Sequence, residues 1–367
     1  MLSIDGSHGE GGGQMLRTAL ALSTLTFKPF EMINIRKGRC VSGLKPQHLF
    51  CIKAIQEMTG ARVDDAKVGC DKILFAPHKM KSSTISLDIG TAGSTTLLMQ
   101  AVLPAALFGD KKTRFKLKGG TDVRWSMPVD YFSEVLIPQL RKYADIDFKL
   151  ERRGYYPAGN GQIDITIKPK FCLTDYRNFE EFWQNVKADA PKINLIRQGK
   201  LLQVKGVSHA SADLQSANVV ERQEKAAKHI LTKLNCPINI RCEYSTTMST
   251  GSGITLFAIF SDGNDIDGEI DMSNPVRIGS DSLGEKGKRA EDVGKEAAER
   301  LINEISYNAP VDEYLSDNLV PIMAIVGGQM NVAKISNHTH TNIFITEEFL
   351  GKIFIVDEHN KNIRTVF

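Results

Sequence analysis

One order of predicted strands and helices occurs twice in the first half of the chain. Residues 1–76 are predicted as strand, glycine-rich turn, helix, strand, helix and two short strands, and residues 85–167 repeat that order. These predictions rest on apolar residues that alternate in strands and recur every three or four positions in helices. Two copies about eighty residues apart indicate a repeated βαβαββ module, which restricts the chain to an α/β architecture of stacked modules.

A third copy of the module is recognised only if it is interrupted. Its first strand is predicted at residues 193–196, and its other strands and helices lie between residues 312 and 366. The intervening residues 198–308 have a strand and helix pattern of their own and are long enough to form an inserted domain. The stretches 176–191 and 262–271 are acidic or loop-like, as expected of domain boundaries.

We therefore predict an α/β (α+β) fold in which three βαβαββ modules form a large domain, with a smaller α/β domain inserted in the third module. The large domain is predicted at residues 1–197 and 309–367, and the inserted domain at 198–308. The modules are predicted at about 1–80, 81–170, and 190–197 together with 309–367. The second strand of the first module is predicted at residues 33–36.

Composition and charge exclude several classes of protein. The chain has 367 residues, 42% of them hydrophobic, and a net charge of +3, which is too small to indicate an extended nucleic-acid surface. Its six cysteines include no CxxC pair, which favours free thiols in a reducing compartment over a structural zinc site. No signal peptide is evident, and the longest apolar run, residues 97–108, is too short to cross a bilayer. We expect a cytoplasmic protein that does not bind membranes.

The glycine-rich turn of the first module, DGSHGEGGGQMLR at residues 5–17, is a candidate ligand site. Its glycines let the backbone approach a ligand, and the helix start that follows supplies unpaired N–H groups suited to phosphate. Glu10 is interpreted as a ligand of Mg²⁺ that arrives with a nucleotide, and Arg17 as a phosphate contact. The spacing matches neither GxGxxG nor the GxxxxGK loop, which disfavours both standard nucleotide-binding folds. The alternative is a tight turn with solvated charges.

Equivalent helix starts of stacked modules are expected to face one cleft, so the polar residues near those starts are candidates for a site. They are Glu10, Gln14, Arg17, Arg36, Arg39, Gln47 and His48 in module one, Gln100, Trp125, Pro128 and Asp130 in module two, and Tyr314, Asp317, Asn318 and His338 in module three. Each also has a structural alternative. Arg36 and Arg39 can be solvated charges, and the amide of Gln100 can be buried against carbonyl groups. His48 can pack in the core or cap a helix.

His338 lies in the polar run NHTHTN, residues 337–342, between two apolar runs. The run can cap a helix, which leaves a structural role open. A neutral imidazole is also a nucleophile near neutral pH, whereas a metal site of His338 and His340 lacks a third ligand nearby. Together with a phosphate cradle, one carboxylate and three arginines, His338 fits attack by an imidazole on a nucleotide phosphorus.

The motifs of this chain resemble those of the RNA 3′-terminal phosphate cyclases, and of the cyclases proper rather than the cyclase-like ribosome-biogenesis branch. The matching segments follow the family's order through nearly the whole chain. They are DGSHGEGGGQMLR (5–17), IRKGRCVSGLKPQH (35–48), GTAGSTTLLMQAVLP (90–104), GGTDVRWSMPVDYF (119–132), RRGYYPAGNG (152–161), EYLSDNL (313–319) and residues 338–350. The resemblance implies modules similar to the C-terminal domain of a translation initiation factor, with one inserted α/β domain.

The resemblance also implies an activity, which is ATP-dependent conversion of an RNA 3′-phosphate end to a 2′,3′-cyclic phosphate. The route passes through a histidine–AMP intermediate and an RNA–adenylate anhydride. ATP is then the co-substrate, RNA 3′-phosphate ends are the partner, and Mg²⁺ or Mn²⁺ is the metal. By position, His338 resembles the histidine that is adenylylated, and Glu10 resembles the carboxylate linked to the metal. His340 falls where the family does not require histidine.

Other site residues follow from the same resemblance, position by position. Those that match phosphate-binding or RNA-end-binding positions are Gln14, Arg17, Arg36, Arg39 and Gln47. Those that match ATP-binding positions are Gln100, Pro128, Tyr314, Leu315, Ser316, Asp317 and Asn318. Tyr314 and Pro128 are expected on the two faces of adenine.

Four positions depart from the family's pattern. Asn318 replaces a glutamine, Ala158 replaces an arginine, and prolines are replaced by Met127 and Arg124. The shorter amide of Asn318 alters a nucleotide contact that the resemblance implies. None of these changes removes a residue that the chemistry needs.

Two rival interpretations come from other classes of protein. One is a non-catalytic cyclase-like protein that binds RNA in ribosome biogenesis, and retention of Glu10, Arg17 and His338 weighs against it. The other is an enolpyruvyl transferase, which is built from similar modules but has six of them. RNA binding through the inserted domain stays open as an addition to either activity.

Overall fold

The computed structural model describes residues 1–80, 84–261 and 270–367 and confirms the predicted α/β class. Within those residues the strands form four mixed sheets of four strands each. Three of these described sheets share one strand order, and the fourth comes from the sequence that interrupts the third module. The limits between the large and the inserted domain stay predictions.

In the first module the second strand ends earlier than predicted. The elements are β1 (Leu2–Asp5), α1 (Gly13–Thr26), β2 (Phe30–Ile33), α2 (Pro46–Thr59), β3 (Arg62–Asp64) and β4 (Ile73–Ala76). Their sheet order is β1-β2-β4-β3, with β1 and β2 parallel and the other pairs antiparallel. The strand predicted at 33–36 is wrong beyond Ile33, because Asn34 and Arg36 have left-handed backbone with φ of 54° and 58°.

The second module repeats this sheet. Its elements are β5 (Thr84–Asp88), α3 (Thr95–Leu107), β6 (Thr113–Gly119), α4 (Val129–Tyr131), α5 (Ile137–Leu140), β7 (Ala144–Arg152) and β8 (Gly161–Pro169). A π-helical turn, Phe132–Leu136, joins α4 to α5 into one helical segment. The order β5-β6-β8-β7 and the pattern of parallel and antiparallel pairs are those of the first module.

A helix occupies the boundary stretch expected at 176–191, so the loop prediction there is wrong. α6 (Phe179–Asp189) begins at a side-chain cap from Asn178. It buries one apolar face whose members recur at helical spacing. They are Phe179, Phe182, Trp183 and Val186. Of the second expected boundary, residues 262–269 lie outside the described residues.

The interrupting segment forms a sheet covered by two helices. After β9 (Ile193–Leu195) come β10 (Leu201–Ser211), α7 (Val219–Leu231), β11 (Ile238–Ser245), β12 (Ser252–Phe260), β13 (Arg277–Leu283) and α8 (Ala290–Ser306). The order is β11-β10-β12-β13, and α7 and α8 pack against each other and on the sheet. The sequence does not predict β13, because the strand contains polar serines. In the structure Ser280 and Ser282 are buried, because β13 pairs with β12 and is covered by α8. Short 3-10 turns occupy Leu173–Asp175, Ala212–Ala217 and Thr232–Leu234.

The third module is completed after this interruption. Its remaining elements are α9 (Glu313–Val326), β14 (Gly328–Asn331), α10 (Asn337–Leu350), β15 (Phe354–Asp357) and β16 (Asn362–Thr365). β9 pairs in parallel with β14, and the order β9-β14-β16-β15 is that of the other two modules. The predicted splitting of the third module is therefore confirmed.

Helix α1 lies at the centre of the helical layer. It packs against α2, α3 and α10, and its residues from Thr18 to Thr26 are buried. Thr18 Oγ1 donates a hydrogen bond of 2.7 Å to Asn342 Oδ1 on α10. This contact brings the first turn of α10 next to the glycine-rich turn that precedes α1. None of the described helices combines the length and the hydrophobicity needed to span a bilayer.

A buried ion-pair network joins the second module to the inserted sheet. The guanidinium of Arg153, 1% exposed, lies 3.1 Å from Asp122 Oδ2, 2.7 Å from Asp130 Oδ2 and 2.5 Å from Glu243 Oε1 on β11. Burial opposes the charge, but the surrounding carboxylates hold the pKa of Arg153 well above its usual range. Because buried charges are costly unless they are paired, the network fixes the inserted sheet against the second module.

Candidate active site

A cleft of about 530 Å³ lies where the three modules and the inserted sheet meet. Eight residues predicted as site candidates line it, and they come from all three modules. They are Gln14, Arg17, Gln100, Trp125, Tyr314, Asp317, Asn318 and His338. The structure therefore brings together side chains that are more than three hundred residues apart in the sequence.

The glycine-rich turn presents uncapped backbone donors at one end of the cleft. Gly9 and Gly11 have φ of 57° and 55°, conformations that favour glycine. Gly12, the N-cap of α1, has no side-chain cap, so the first N–H groups of the helix are free of a side-chain acceptor. Gly13 allows a close approach, because a Cβ there would lie 2.1 Å from Nε2 of His48. Such a helix start suits an anion.

The imidazole of His338 lies against this turn. His338 is in the first turn of α10, and its Nε2 is 3.4 Å from Oε2 of Glu10. Gln14 Nε2 donates a hydrogen bond of 3.3 Å to the carbonyl of His338. Glu10 Oε2 also accepts from Arg39 Nη2 at 2.9 Å. The side chain of His338 is 45% exposed, so a ligand in the cleft can reach the imidazole.

Asp317 on α9 holds the first turn of α10. Its Oδ1 accepts hydrogen bonds from Ser336 Oγ at 3.0 Å and from Thr339 Oγ1 at 2.7 Å. Ser336 in turn caps α10 by accepting from the Thr339 N–H at 3.0 Å. Asn342 Nδ2 donates to the Asp317 carbonyl at 2.6 Å. These bonds orient the backbone that carries His338.

We expect Asp317→Asn to remove a pH dependence of stability. Burial raises the pKa of the Asp317 carboxyl from 3.8 to about 7, so the folded protein keeps a proton that the unfolded chain releases. The resulting stabilisation is complete below about pH 4 and is lost as the pH rises through about 7. Over that range the asparagine variant should gain on the order of 4 kcal/mol relative to the wild type, since each pKa unit corresponds to about 1.4 kcal/mol.

Thermal denaturation of both proteins at a series of pH values measures this difference. The exposed Asp189→Asn is the control, and its curve should run parallel to that of the wild type. If the curve of Asp317→Asn were also parallel, the carboxyl would not titrate as described.

A second group of polar side chains lines the wall formed by α3 and α9. Gln100 Nε2 donates to Asn318 Oδ1 at 3.0 Å, and Asn318 Nδ2 donates to the Tyr314 carbonyl at 2.7 Å. The Tyr314 ring is 48% exposed and meets the buried Tyr131 ring edge to face, with centroids 5.9 Å apart. The sequence left open whether the side-chain amide of Gln100 is bonded to backbone carbonyl groups. In the structure its partner is the side-chain amide of Asn318, in the third module.

A comparison with known proteins decides the family. A family model described as RNA 3′-terminal phosphate cyclase matches residues 8–356. The chain belongs to this family.

Proteins named RNA 3′-terminal phosphate cyclase are similar to this cyclase-family chain over almost its full length. The protein of Pyrococcus furiosus is 42% identical over 97% of this chain and 95% of its own. That of Pyrococcus abyssi is 41% identical with the same coverage, and that of Staphylothermus marinus is 40% identical over 97% of this chain and 94% of its own. The predicted membership of the cyclases proper is confirmed.

Three arginines of this cyclase-family chain are gathered near the glycine-rich turn. Arg17 Nε is buried and has no hydrogen-bond partner among the described residues. Arg36 Nη1 donates to the carbonyls of Val41 and Gly43 at 2.6 and 3.2 Å and so braces the loop that carries Arg39. Arg39 Nη2 donates to Glu10 Oε2.

His48 and Gln47 lie under this arginine cluster at the start of α2. Burial, with Arg17 and Arg36 nearby, lowers the pKa of His48 to about 3, so its imidazole is neutral. Its Nδ1 accepts from the Lys45 N–H at 2.9 Å, which makes it a capping residue. Gln47 Nε2 is buried and, among the described residues, has no hydrogen-bond partner. Arg17 Nε and Gln47 Nε2 are thus two buried donors without an acceptor among the described residues.

Three residues predicted to bind ATP do not line the cleft. Leu315 and Ser316 are fully buried in α9, and Ser316 Oγ is 3.1 Å from Thr339 Oγ1. Pro128 is buried at the N-cap of α4, next to Met127, which does line the cleft. Contact of these three residues with ATP stays a prediction.

The two histidines of the NHTHTN run face different carboxylates. His340 Nε2 is 3.0 Å from Glu358 Oε1, whereas His338 is at Glu10. The alternative of a metal site shared by the pair therefore lacks support in the geometry. A different group, Asp122, Asp130 and His209, lies close enough to bind a metal ion, but Arg153 already pairs with both carboxylates.

The inserted sheet supplies a wall of the cleft that sequence reasoning missed. The lining from this part of the chain is Asp281, Ser282, Leu283, Glu285, Lys288, Glu296 and Arg300. No motif marks these residues in the sequence, since their place in the cleft depends on how β13 and α8 dock. Trp125 of the second module, a candidate by its position near a helix start, also lines the cleft.

Proposed function

We propose that this chain converts RNA 3′-terminal phosphate ends to 2′,3′-cyclic phosphodiesters at the expense of ATP, through AMP bound covalently to His338. The supporting observation is the accessible His338 imidazole 3.4 Å from Glu10 on the uncapped glycine-rich turn. Membership of the RNA 3′-terminal phosphate cyclase family supports the substrate class.

In the first step a ring nitrogen of His338 attacks the α-phosphorus of ATP. A P–N bond forms, the bond to the pyrophosphate oxygen breaks, and pyrophosphate leaves. Arg17, Arg39 and the free N–H groups at the start of α1 offset the negative charge on the leaving group. The bonds between Asp317 and the first turn of α10 keep the imidazole in place for this attack.

Two transfers complete the reaction. An oxygen of the RNA 3′-phosphate attacks the phosphorus of the bound AMP, the P–N bond breaks, and an RNA–adenylate anhydride forms. The neighbouring 2′-hydroxyl then attacks the RNA phosphorus, loses its proton, and expels AMP. Because this last step is intramolecular, an effective molarity of about 10⁵ M or more lets it proceed with little help from the protein.

The residues near the glycine-rich turn fit a divalent cation that arrives with the triphosphate. Mg²⁺ prefers oxygen ligands and is held in nucleotide sites by one or two carboxylates together with phosphate oxygens. Glu10 supplies one such carboxylate, 31% exposed and beside the proposed nucleophile. Mn²⁺ takes the same kind of ligand. When bound, the cation supplies positive charge next to the phosphates, and Glu10 is the residue that would hold it.

Product analysis with the wild-type protein tests this proposal. An oligoribonucleotide with a labelled 3′-phosphate is incubated with ATP and Mg²⁺, and the label should become resistant to phosphatase as one AMP and one pyrophosphate are released per end. An oligonucleotide with a 2′-deoxy terminal sugar is the control, and it should accumulate the adenylate anhydride. If RNA binds but ATP is not consumed, the chain is the non-catalytic RNA-binding protein of the rival interpretation.

A further inference from the structure

Trp125 is an exposed aromatic side chain held in the wall of the cleft. Its side chain is 91% exposed, and its backbone has a φ of 59°. A bulky residue in this left-handed region is unusual and costs free energy. An indole in water also forgoes the stabilisation that burial would give. Neither cost is offset by packing of the side chain within the described residues.

The turn that carries Trp125 is fixed on both sides. Before it, the Thr121 N–H donates to the Gly154 carbonyl at 2.9 Å. After it, Thr96 Oγ1 donates to the Met127 carbonyl at 2.6 Å. Within the turn, Ser126 Oγ donates to the Val123 carbonyl at 2.8 Å. The exposed position of the indole is therefore a property of a braced turn, and not of a loose loop.

The indole shares its cleft with the proposed phosphoryl-transfer residues and with the inserted sheet. Gln14, Arg17 and His338 line this cleft together with Trp125, and so do Leu283 of β13 and Lys288, which follows it. Arg124, next to Trp125, forms an ion pair with Glu285 of the inserted segment. A ligand that fills this cleft can therefore contact both the His338 side chain and the indole.

We propose that the indole of Trp125 is a stacking platform for a base of the RNA 3′ end, which holds that end toward His338. This inference rests on the proposed function. Single-stranded RNA is bound by stacking of its bases on aromatic side chains, and stacking tolerates any base. An exposed indole in the lining of the cleft therefore suits RNA ends of varied sequence.

The adenine of ATP is the other base that enters this cleft, and the structure favours another place for it. Tyr314 is half-buried against Tyr131 and lies beside the hydrogen-bonded amides of Gln100 and Asn318. That wall offers both an aromatic ring and amide groups, which recognition of one particular base requires. The ring of Trp125, by contrast, is almost fully exposed to solvent.

The test compares Trp125→Ala and Trp125→Phe in the two halves of the reaction. Formation of the AMP adduct from labelled ATP without RNA should be unchanged in both variants. In cyclisation, Trp125→Ala should raise the KM for an oligoribonucleotide 3′-phosphate about 10-fold or more, with kcat nearly unchanged. Trp125→Phe should restore most of the affinity. Tyr156→Ala, an exposed aromatic residue outside the cleft lining, is the matched control and should behave as the wild type.

Tryptophan fluorescence gives a readout of binding that does not need activity. The chain has two tryptophans, and Trp183 is buried at 8% exposure. Adding the oligoribonucleotide should quench the emission of the wild type, and much less that of Trp125→Phe. Equal loss of adduct formation and of cyclisation in Trp125→Ala would overturn the proposal, since the indole would then serve ATP. An unchanged KM without quenching would also overturn it. Quenching without a cyclic product would uphold the stacking site and reject the proposed activity.

Discussion

His338→Ala should abolish the covalent AMP adduct and reduce cyclisation by at least about 10³-fold, since it removes the proposed nucleophile and leaves no group to form the proposed intermediate. The measurement is retention of label on the protein after incubation with α-labelled ATP and Mg²⁺. A phosphoramidate is expected to lose its label in acid and to keep it in alkali, so the two treatments identify a P–N bond and the variant identifies the residue.

The second histidine of the run provides the matched control. His340 is two residues away on the same helix and is similarly exposed, but its imidazole lies 3.0 Å from Glu358 and not beside Glu10. His340→Ala should therefore retain the label and most of the cyclase activity. If the His338→Ala protein still became labelled, His338 would not be the nucleophile. An equal loss of label in both variants would point to damage to the first turn of α10.

Arg153→Met should destabilise the protein by about 3–5 kcal/mol, because it leaves the carboxylates of Asp122 and Asp130 buried without their partner. The loss should appear as a large drop in the midpoint of urea or thermal unfolding. Because Glu243 belongs to the inserted sheet, the same variant should also loosen that sheet from the second module. Limited proteolysis between residues 195 and 312 reports on that loosening.

Substitution of an exposed arginine is the control, because it shows how much stability is lost when an ordinary surface ion pair is removed. Arg62, with its side chain 73% exposed, pairs with Asp64 on the surface, and Arg62→Met should change stability little. A small effect of Arg153→Met would mean that the buried carboxylates take up protons without cost. In that case the network would not be what fixes the inserted sheet.

Features that depend on local sequence were predictable. The glycine-rich turn before α1 follows from residue types in one short segment, and the repeated modules follow from hydrophobic spacing. The error at residues 33–36 arose because apolar Ile35 continues the pattern of a strand although Arg36 has left-handed backbone. α6 carried a readable signal in Phe179, Phe182 and Val186, which its charged residues obscured.

Features that depend on tertiary contacts were not predictable. The buried serines of β13 resemble a loop until β12 and α8 enclose them. The carboxylate of Asp317 could be placed near the site, but its bonds to Ser336 and Thr339 depend on how α9 packs on α10. The roles of the residues in the cleft stay predictions until the experiments above are done.

The contact of α1 with α10 has a consequence for folding during synthesis on the ribosome. The bonds from Thr18 to Asn342 and from Gln14 to His338 each join residues 324 positions apart. During synthesis, the glycine-rich turn can therefore meet the imidazole of His338 only after α10 has left the ribosome. A polypeptide that ends before α10 would lack both the proposed nucleophile and the helix on which α1 packs.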